Sequence, residues 1–160
     1  MYDSFARYGS GVTLIAAQAD GDHKFFIATS VMTASVQPFT LGVSVGQDRQ
    51  GLRTIVSGAP WTVNVLSTKH LPMVQELIGS TSLEQRLAAL NQAGAETSAE
   101  GPLWLPDSLT TFWCELHKTA QVYDQVLLVG KVERVETQDL ETPLVRWNRD
   151  FHSTTKPLSG

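Results

Sequence analysis

Gly11-Val-Thr-Leu-Ile-Ala-Ala17, Ala28-Thr-Ser-Val-Met-Thr-Ala-Ser-Val-Gln-Pro38 and Trp61-Thr-Val-Asn-Val-Leu66 decide how this chain is read. Each is rich in β-branched and small residues, the composition of a strand. After the first, Asp20-Gly21-Asp22 supplies turn chemistry for a hairpin into residues 23–32. Pro38 cannot donate to a sheet ladder and closes residues 33–37. Residues 41–45 alternate about Gly42 and read as a third strand, and residues 61–66 as a fourth. Residues 109–122 and 125–135 make two long strands joined by a turn at Tyr123-Asp124, with Gly130 marking a bulge.

Helical periodicity fills the gaps. Asp3 or Ser4 caps a short helix over residues 3–8. Residues 46–58 begin polar and turn amphipathic, with Leu52, Ile55 and Val56 at helical spacing. Residues 69–78 place Leu71, Val74, Leu77 and Ile78 on one face. Thr81-x-x-Glu84 and Ser82-x-x-Gln85 are both capping boxes for a helix through Leu83, Leu87 and Leu90 that stops at Gly94. Residues 95–108, punctuated by Gly and Pro, read as a long surface connection, and residues 152–160 as a frayed tail. Strands outnumber helices without regular β-α-β alternation. The expected fold is therefore mainly β, one domain over residues 1–160, an antiparallel β-barrel with helical insertions.

Composition narrows the function classes. A chain of 160 residues is a comfortable single domain that buries roughly 70% of its unfolded surface. With 42% apolar and 18% charged residues and a net charge of −4, it has no basic footprint for nucleic acid. The lone Cys114 cannot form an internal disulfide, which fits a reducing, cytoplasmic setting. No signal segment and no apolar run of membrane-spanning length is present.

The familiar catalytic signatures are missing: no Walker phosphate loop, no G-x-G-x-x-G after a strand, no G-x-S-x-G elbow. The four histidines are too dispersed for a metal-ligand spacing, so no metal is expected. Glu115 and His117 share a strand face, but the simpler reading is a solvated face opposite Phe112, Cys114 and Leu116. Cys114 then reads as an inert buried thiol. Residues 28–35 hold Thr29, Ser30, Thr33 and Ser35; hydroxyls and backbone N–H groups there can bind a phosphate or a polar ring edge, or simply decorate an edge strand. Arg49-Gln-Gly-Leu-Arg53 follows the third strand and makes either a phosphate seat beside a helix start or a solvated basic loop. Trp61, Trp113, Trp147 and Phe151 are able to stack on a flat ring but are more often core.

In order and spacing these segments resemble the flavin reductase-like family of FMN-binding split β-barrels over residues 5–152. The matching pieces are Tyr8-Gly-Ser-Gly-Val-Thr-Leu-Ile15, Ala28–Pro38, Val43-Ser-Val45, Ser57-Gly-Ala-Pro-Trp-Thr-Val-Asn-Val-Leu66, Phe112-Trp-Cys-Glu-Leu116, Val129-Gly-Lys-Val132 and Thr142-Pro-Leu-Val145. The resemblance implies a six-stranded antiparallel Greek-key split barrel that dimerises and binds FMN (or FAD) near the subunit interface. It implies cofactor contacts from Thr29, Ser30, Val31 and Met32, from Ser44, Val45 and Gly46, and from Arg49, Gln50, Gly51 and Arg53. Asp124 and Gln125 would lie toward the nicotinamide of NADH or NADPH, and a monooxygenase is the implied downstream partner.

Two positions depart from the family pattern. Members usually carry Ser and Thr where this chain has Arg49-Gln50-Gly51. Members also often carry Gly-Asp-His at the last turn, where this chain has Tyr123-Asp124-Gln125. The expected function is an NAD(P)H-dependent flavin reductase. The alternative, favoured by the missing histidine, is a non-catalytic flavin-binding or storage protein on the same barrel.

Overall fold

The computed structural model describes residues 1–79, 82–139 and 142–159. A 3-10 helix, Tyr2–Arg7, opens the chain. It is followed by β1 (Ser10–Gly11), β2 (Thr13–Ala19), β3 (Asp22–Ala28), β4 (Val31–Val36) and β5 (Phe39–Gly46). Next come α1 (Leu52–Val56), β6 (Trp61–Val65), a 3-10 turn at Thr68–His70, α2 (Leu71–Gly79) and α3 (Leu83–Gln92). The short pair β7 (Glu96–Thr97) and β8 (Leu103–Trp104) precedes the long strands β9 (Thr110–Val122) and β10 (Gln125–Thr137). A hairpin, β11 (Leu144–Trp147) and β12 (Asp150–Ser153), ends the regular structure.

The fold is mainly β, as composition and pattern predict, but its main sheet has seven strands, not six, in the order β3-β2-β6-β9-β10-β5-β4. The added strand comes from residues 23–32, expected as one strand and found as two. β3 pairs with β2 at one edge, and β4 pairs with β5 at the opposite edge. Only Thr29 and Ser30 separate them. The three chain steps from Ala28 to Val31 span at most about 11 Å, so the sheet must curl until its two edges nearly meet. The hydroxyl-rich dipeptide crosses that gap.

Turn chemistry sets the register. Asp20 and Gly21 both have positive φ, 53° and 78°, in a two-residue turn that aligns Ala19 with Asp22. The ladder between β9 and β10 slips at Val129/Gly130, the bulge expected from sequence. Gly130 is required there: a Cβ at this position would collide with the Trp61 indole.

Two apolar clusters pack on the two faces of the sheet. Ile15, Val43, Trp61, Val63 and Leu128 fill the inside of the curl. Leu14, Ala16, Leu66, Val74, Leu77 and Leu90 join the outer face to α2 and α3. Residues alternate between these clusters along β2, so the strand is buried on both faces and reads as a continuous apolar run.

Several local expectations need correction. Ile78 is exposed and Met73 is buried, because at about 100° per residue Met73, Leu77 and Val74 centre the buried face of α2 and Ile78 falls at its edge. Residues 95–108 are a surface connection only in part: Glu96, Thr97, Ala99, Glu100 and Asp107 are exposed, but Leu105 and Ser108 are buried. Asn64, wholly buried, donates to Leu14 O (3.1 Å) and Thr62 Oγ1 (3.2 Å) and accepts from Leu105 N–H and Thr111 Oγ1–H, both at 3.0 Å. All four hydrogen-bonding positions of the amide are filled, and the segment is pinned to the sheet. His152 and Ser153 belong to β12, so the irregular tail starts at residue 154. Ser82 caps α3, accepting from Gln85 N–H at 3.4 Å, whereas the alternative cap Thr81 lies outside the described residues. The opening 3-10 helix has no side-chain cap from Asp3 or Ser4. Among the described residues no helix is long and apolar enough to cross a membrane.

Candidate functional site

Ten of the thirteen expected site residues line two adjoining concavities at the gap between the sheet edges. The first, about 760 Å³, is lined by Thr29, Ser30, Val31, Met32 and Ser44, together with Leu127 on β10. Its far wall is Tyr2, Phe5 and Tyr8 from the opening 3-10 helix and Arg146 and Arg149 from the β11–β12 hairpin. The second, about 560 Å³, is lined by Gly46, Gln47, Asp48, Arg49 and Gln50, by Asp124 and Gln125, and by Phe25, Phe26, Leu77 and Arg86. Both volumes lie in the range of ligand pockets.

Main-chain hydrogen bonds hold the segments together. Ser44 N–H donates to Ser30 O at 3.0 Å, and Gln47 N–H donates to Asp124 O at 3.0 Å. Ser44 and Gly46 point to the same side of β5 and stand about 7 Å apart. One lines the first concavity and the other the second, so the two spaces lie end to end along β5 as a trough. Ser44 Oγ reaches Gln125 Oε1 at 3.5 Å, across the seam between them.

Three expected residues line neither space. Val45 turns into the core, because alternation along β5 sends Val43 and Val45 inward and Ser44 and Gly46 outward. Gly51 is the residue before α1, with φ 98°, packed on Lys24 Cβ and the Phe26 ring. Arg53 is exposed on α1. With only five residues, α1 provides a short positioning turn for the Gly46–Gln50 loop rather than a helix terminus aimed at a ligand.

Other residues at the trough carry no sequence motif. Arg86, four residues past the cap of α3, donates Nη2–H to Phe25 O at 3.1 Å. Its Cζ lies 5.0 Å from the centre of the Phe25 ring, and that of Arg49 lies 5.7 Å from the centre of the Phe26 ring. The one available signal was an arginine in the first turn of a helix, where the macrodipole disfavours it. Tyr8 and Phe5 stack at 5.1 Å, and Arg149 bridges to Asp3 at 2.8 Å, closing the wall of the first concavity.

The remaining candidates are elsewhere. Glu115 and His117 are exposed on β9, and no grouping of three metal-capable side chains exists among the described residues. Cys114 is buried, and burial pushes its thiol up to about 12, with nearby Glu133 adding to the rise. It stays protonated and unreactive. Trp61 and Trp113 are core; Trp147 donates its indole N–H to Arg7 O at 3.0 Å and braces the opening helix.

The trough offers hydroxyls, main-chain groups and apolar Met32 and Leu127 at one end, with Arg146 and Arg149 on the far wall, and the guanidinium groups of Arg49 and Arg86 at the other. That donor set suits a flat aromatic ring system tethered to a phosphate. Residues 5–155 match the family model described as the flavin reductase like domain. The chain belongs to that family. It is 26% identical over 158 residues to the FMN reductase (NADH) RutF of Ancylobacter novellus, covering 99% of this chain and 86% of that protein. It is 25% identical to the reductase component of 4-hydroxyphenylacetate 3-monooxygenase from Thermus thermophilus, covering 97% and 95%. Among solved structures, the NADH:FAD oxidoreductase of Streptomyces globisporus, in complex with NAD and FAD fragments, superposes with a TM-score of 0.86 at 15% identity, over 96% of this chain and 90% of that one. This last likeness is one of fold.

Proposed function

We propose that this flavin reductase family member binds FMN in the trough and reduces it with NADH for delivery to a flavin-dependent monooxygenase. The observation that carries the reading is the Ser44–Ser30 hydrogen bond, which lays the hydroxyl-rich crossing beside the Gly46–Gln50 loop. Residues from all four segments named by the resemblance thereby line the two adjoining concavities. FAD would seat its flavin end on the same residues.

In this reading Thr29–Met32 and Ser44 hold the ring and ribityl end through hydroxyls and main-chain groups, and Arg49 and Gln50 take the phosphate. Met32 and Leu127 keep water from one face of the ring. When bound, the flavin supplies the two-electron carrier that accepts hydride from the nicotinamide. The chain's own contribution is positioning, and hydride delivery needs no side chain of the trough as an acid or base. Gln125 and Asp124, on the turn that overhangs the second concavity, orient the nicotinamide amide through neutral hydrogen bonds and a main-chain carbonyl.

The split-barrel reading and the homodimer belong to the same proposal. Met32 and Val36 on β4 and Val122 and Tyr123 at the tip of the β9–β10 arm are exposed apolar groups beside the trough, where a second copy would cover them. Titration of FMN into the purified protein tests the binding step by quenching of flavin fluorescence. Saturation with a Kd of about 1 μM or tighter, near −8 kcal/mol, is expected; unquenched fluorescence would remove the trough as a flavin site.

A further inference from the structure

Two guanidinium groups line the second concavity without an ion pair. Among the described residues, neither Arg49 nor Arg86 forms an ion pair, although Asp48 and Asp124 line the same space. Arg86 is held by a main-chain carbonyl and an aromatic face instead. β3 is an edge strand, so the outward Phe25 carbonyl is free to accept from Nη2. The Phe25 ring covers one side of the guanidinium. These contacts fix the fork and use one of its five N–H donors. Nε is buried and has no partner. Arg86 keeps further N–H donors on its fork, and it lines the same concavity as Arg49 with neither cation ion-paired, an arrangement that suits an anion.

We propose that Arg86 and Arg49 together bind the phosphate of the nucleotide that occupies the trough, and that Arg86 is the second cation of this seat in place of Arg53. The inference rests on the flavin-binding reading and deepens it. It explains why the family's Ser/Thr loop can be replaced here by Arg49-Gln50-Gly51: the phosphate is bound by two forked cations, one from the loop and one from α3. The phosphate is the 5′-phosphate of FMN or a phosphate of the nicotinamide nucleotide, since both ligands share the chemistry.

Paired titrations with FMN and with riboflavin, which lacks the phosphate, test the seat. In the wild-type protein FMN should bind at least about tenfold more tightly than riboflavin, and inorganic phosphate should compete with FMN only. Arg86→Gln should lose about tenfold or more in FMN affinity, the worth of a charge-assisted bond, and leave riboflavin unchanged. Arg86→Lys should retain part of the preference for FMN. If Arg86→Gln leaves FMN binding intact but raises the KM for NADH by a similar factor, the seat serves the nicotinamide nucleotide. Equal weakening of FMN and riboflavin would make Arg86 a strut for β3 and overturn the proposal. So would equal wild-type affinity for the two flavins together with no competition by phosphate, a result that needs no variant to fold. A wild-type protein that quenches neither flavin overturns the flavin reading itself.

Discussion

Ser44 donates its backbone N–H to the carbonyl of Ser30 at 3.0 Å and brings its own hydroxyl within 3.5 Å of Gln125 Oε1. One residue on β5 thus touches the strand crossing on one side and the β9–β10 turn on the other. Ser44→Val keeps the β5 ladder and the main-chain bond and removes only the hydroxyl from the trough. We expect FMN affinity to fall about fivefold, the loss of one hydrogen bond worth about 1 kcal/mol, with the thermal midpoint nearly unchanged. Fluorescence titration and a melting curve on the same sample check both halves.

Arg49 and Arg53 sit four residues apart but play different parts. Arg49 lines the second concavity over the Phe26 ring, whereas Arg53 is exposed on α1. Arg49→Ala should therefore weaken FMN binding by about 1.5–3 kcal/mol, the worth of a hydrogen bond to a charged group. Arg53→Ala should stay within about 0.5 kcal/mol. Isothermal titration of each single variant separates them; equal losses would return the phosphate to the α1 side of the loop.

Asn64 is the polar hub of the sheet, wholly buried with four satisfied hydrogen bonds. Asn64→Leu leaves Leu105 N–H without its acceptor and Leu14 O without its side-chain donor. An orphaned buried group costs about 1–3 kcal/mol, so urea unfolding should show a loss of about 3 kcal/mol. FMN affinity should hardly change, because Asn64 lines neither concavity.

Glu100 gives the molecule an acid-side slope. Arg134 donates Nε–H at 2.7 Å and Nη2–H at 3.1 Å to its carboxylate, and these bonds hold the Glu100 carboxyl below its ordinary 4.5. The folded state then releases this proton at lower pH than the unfolded chain. The resulting stability is complete above about pH 4.5 and is lost as pH falls through the depressed folded value. The pair is partly exposed, so its worth is under about 1 kcal/mol. In urea unfolding, the gap between wild type and Glu100→Gln should be constant near neutrality and close below about pH 4.5.

The mainly β fold was legible because β-branched runs, the Asp20-Gly21 turn and the Gly130 bulge each have a local physical cause. The seventh strand was not. Residues 23–32 carry one unbroken strand composition, and only the curl of the whole sheet sends Val31 to the opposite edge from Ala28. The same limit hid Leu105, whose burial depends on Asn64, 41 residues earlier. At the site, Thr29–Met32, Ser44 and Arg49 were legible because a continuous segment brings its own hydroxyls or charge. Arg86 was not, since its value comes from the Phe25 carbonyl and ring. The Val45 side chain turns into the core, because strand alternation brings only every second side chain of β5 to the concavities.

Anaerobic mixing of the purified protein with FMN and NADH tests the central claim most directly. We predict loss of the visible flavin absorbance together with NADH oxidation in equal molar amount, at a rate proportional to protein concentration. Quenched, tightly bound FMN that keeps its absorbance in the presence of NADH would contradict the reductase and leave a flavin-storage protein on the same fold.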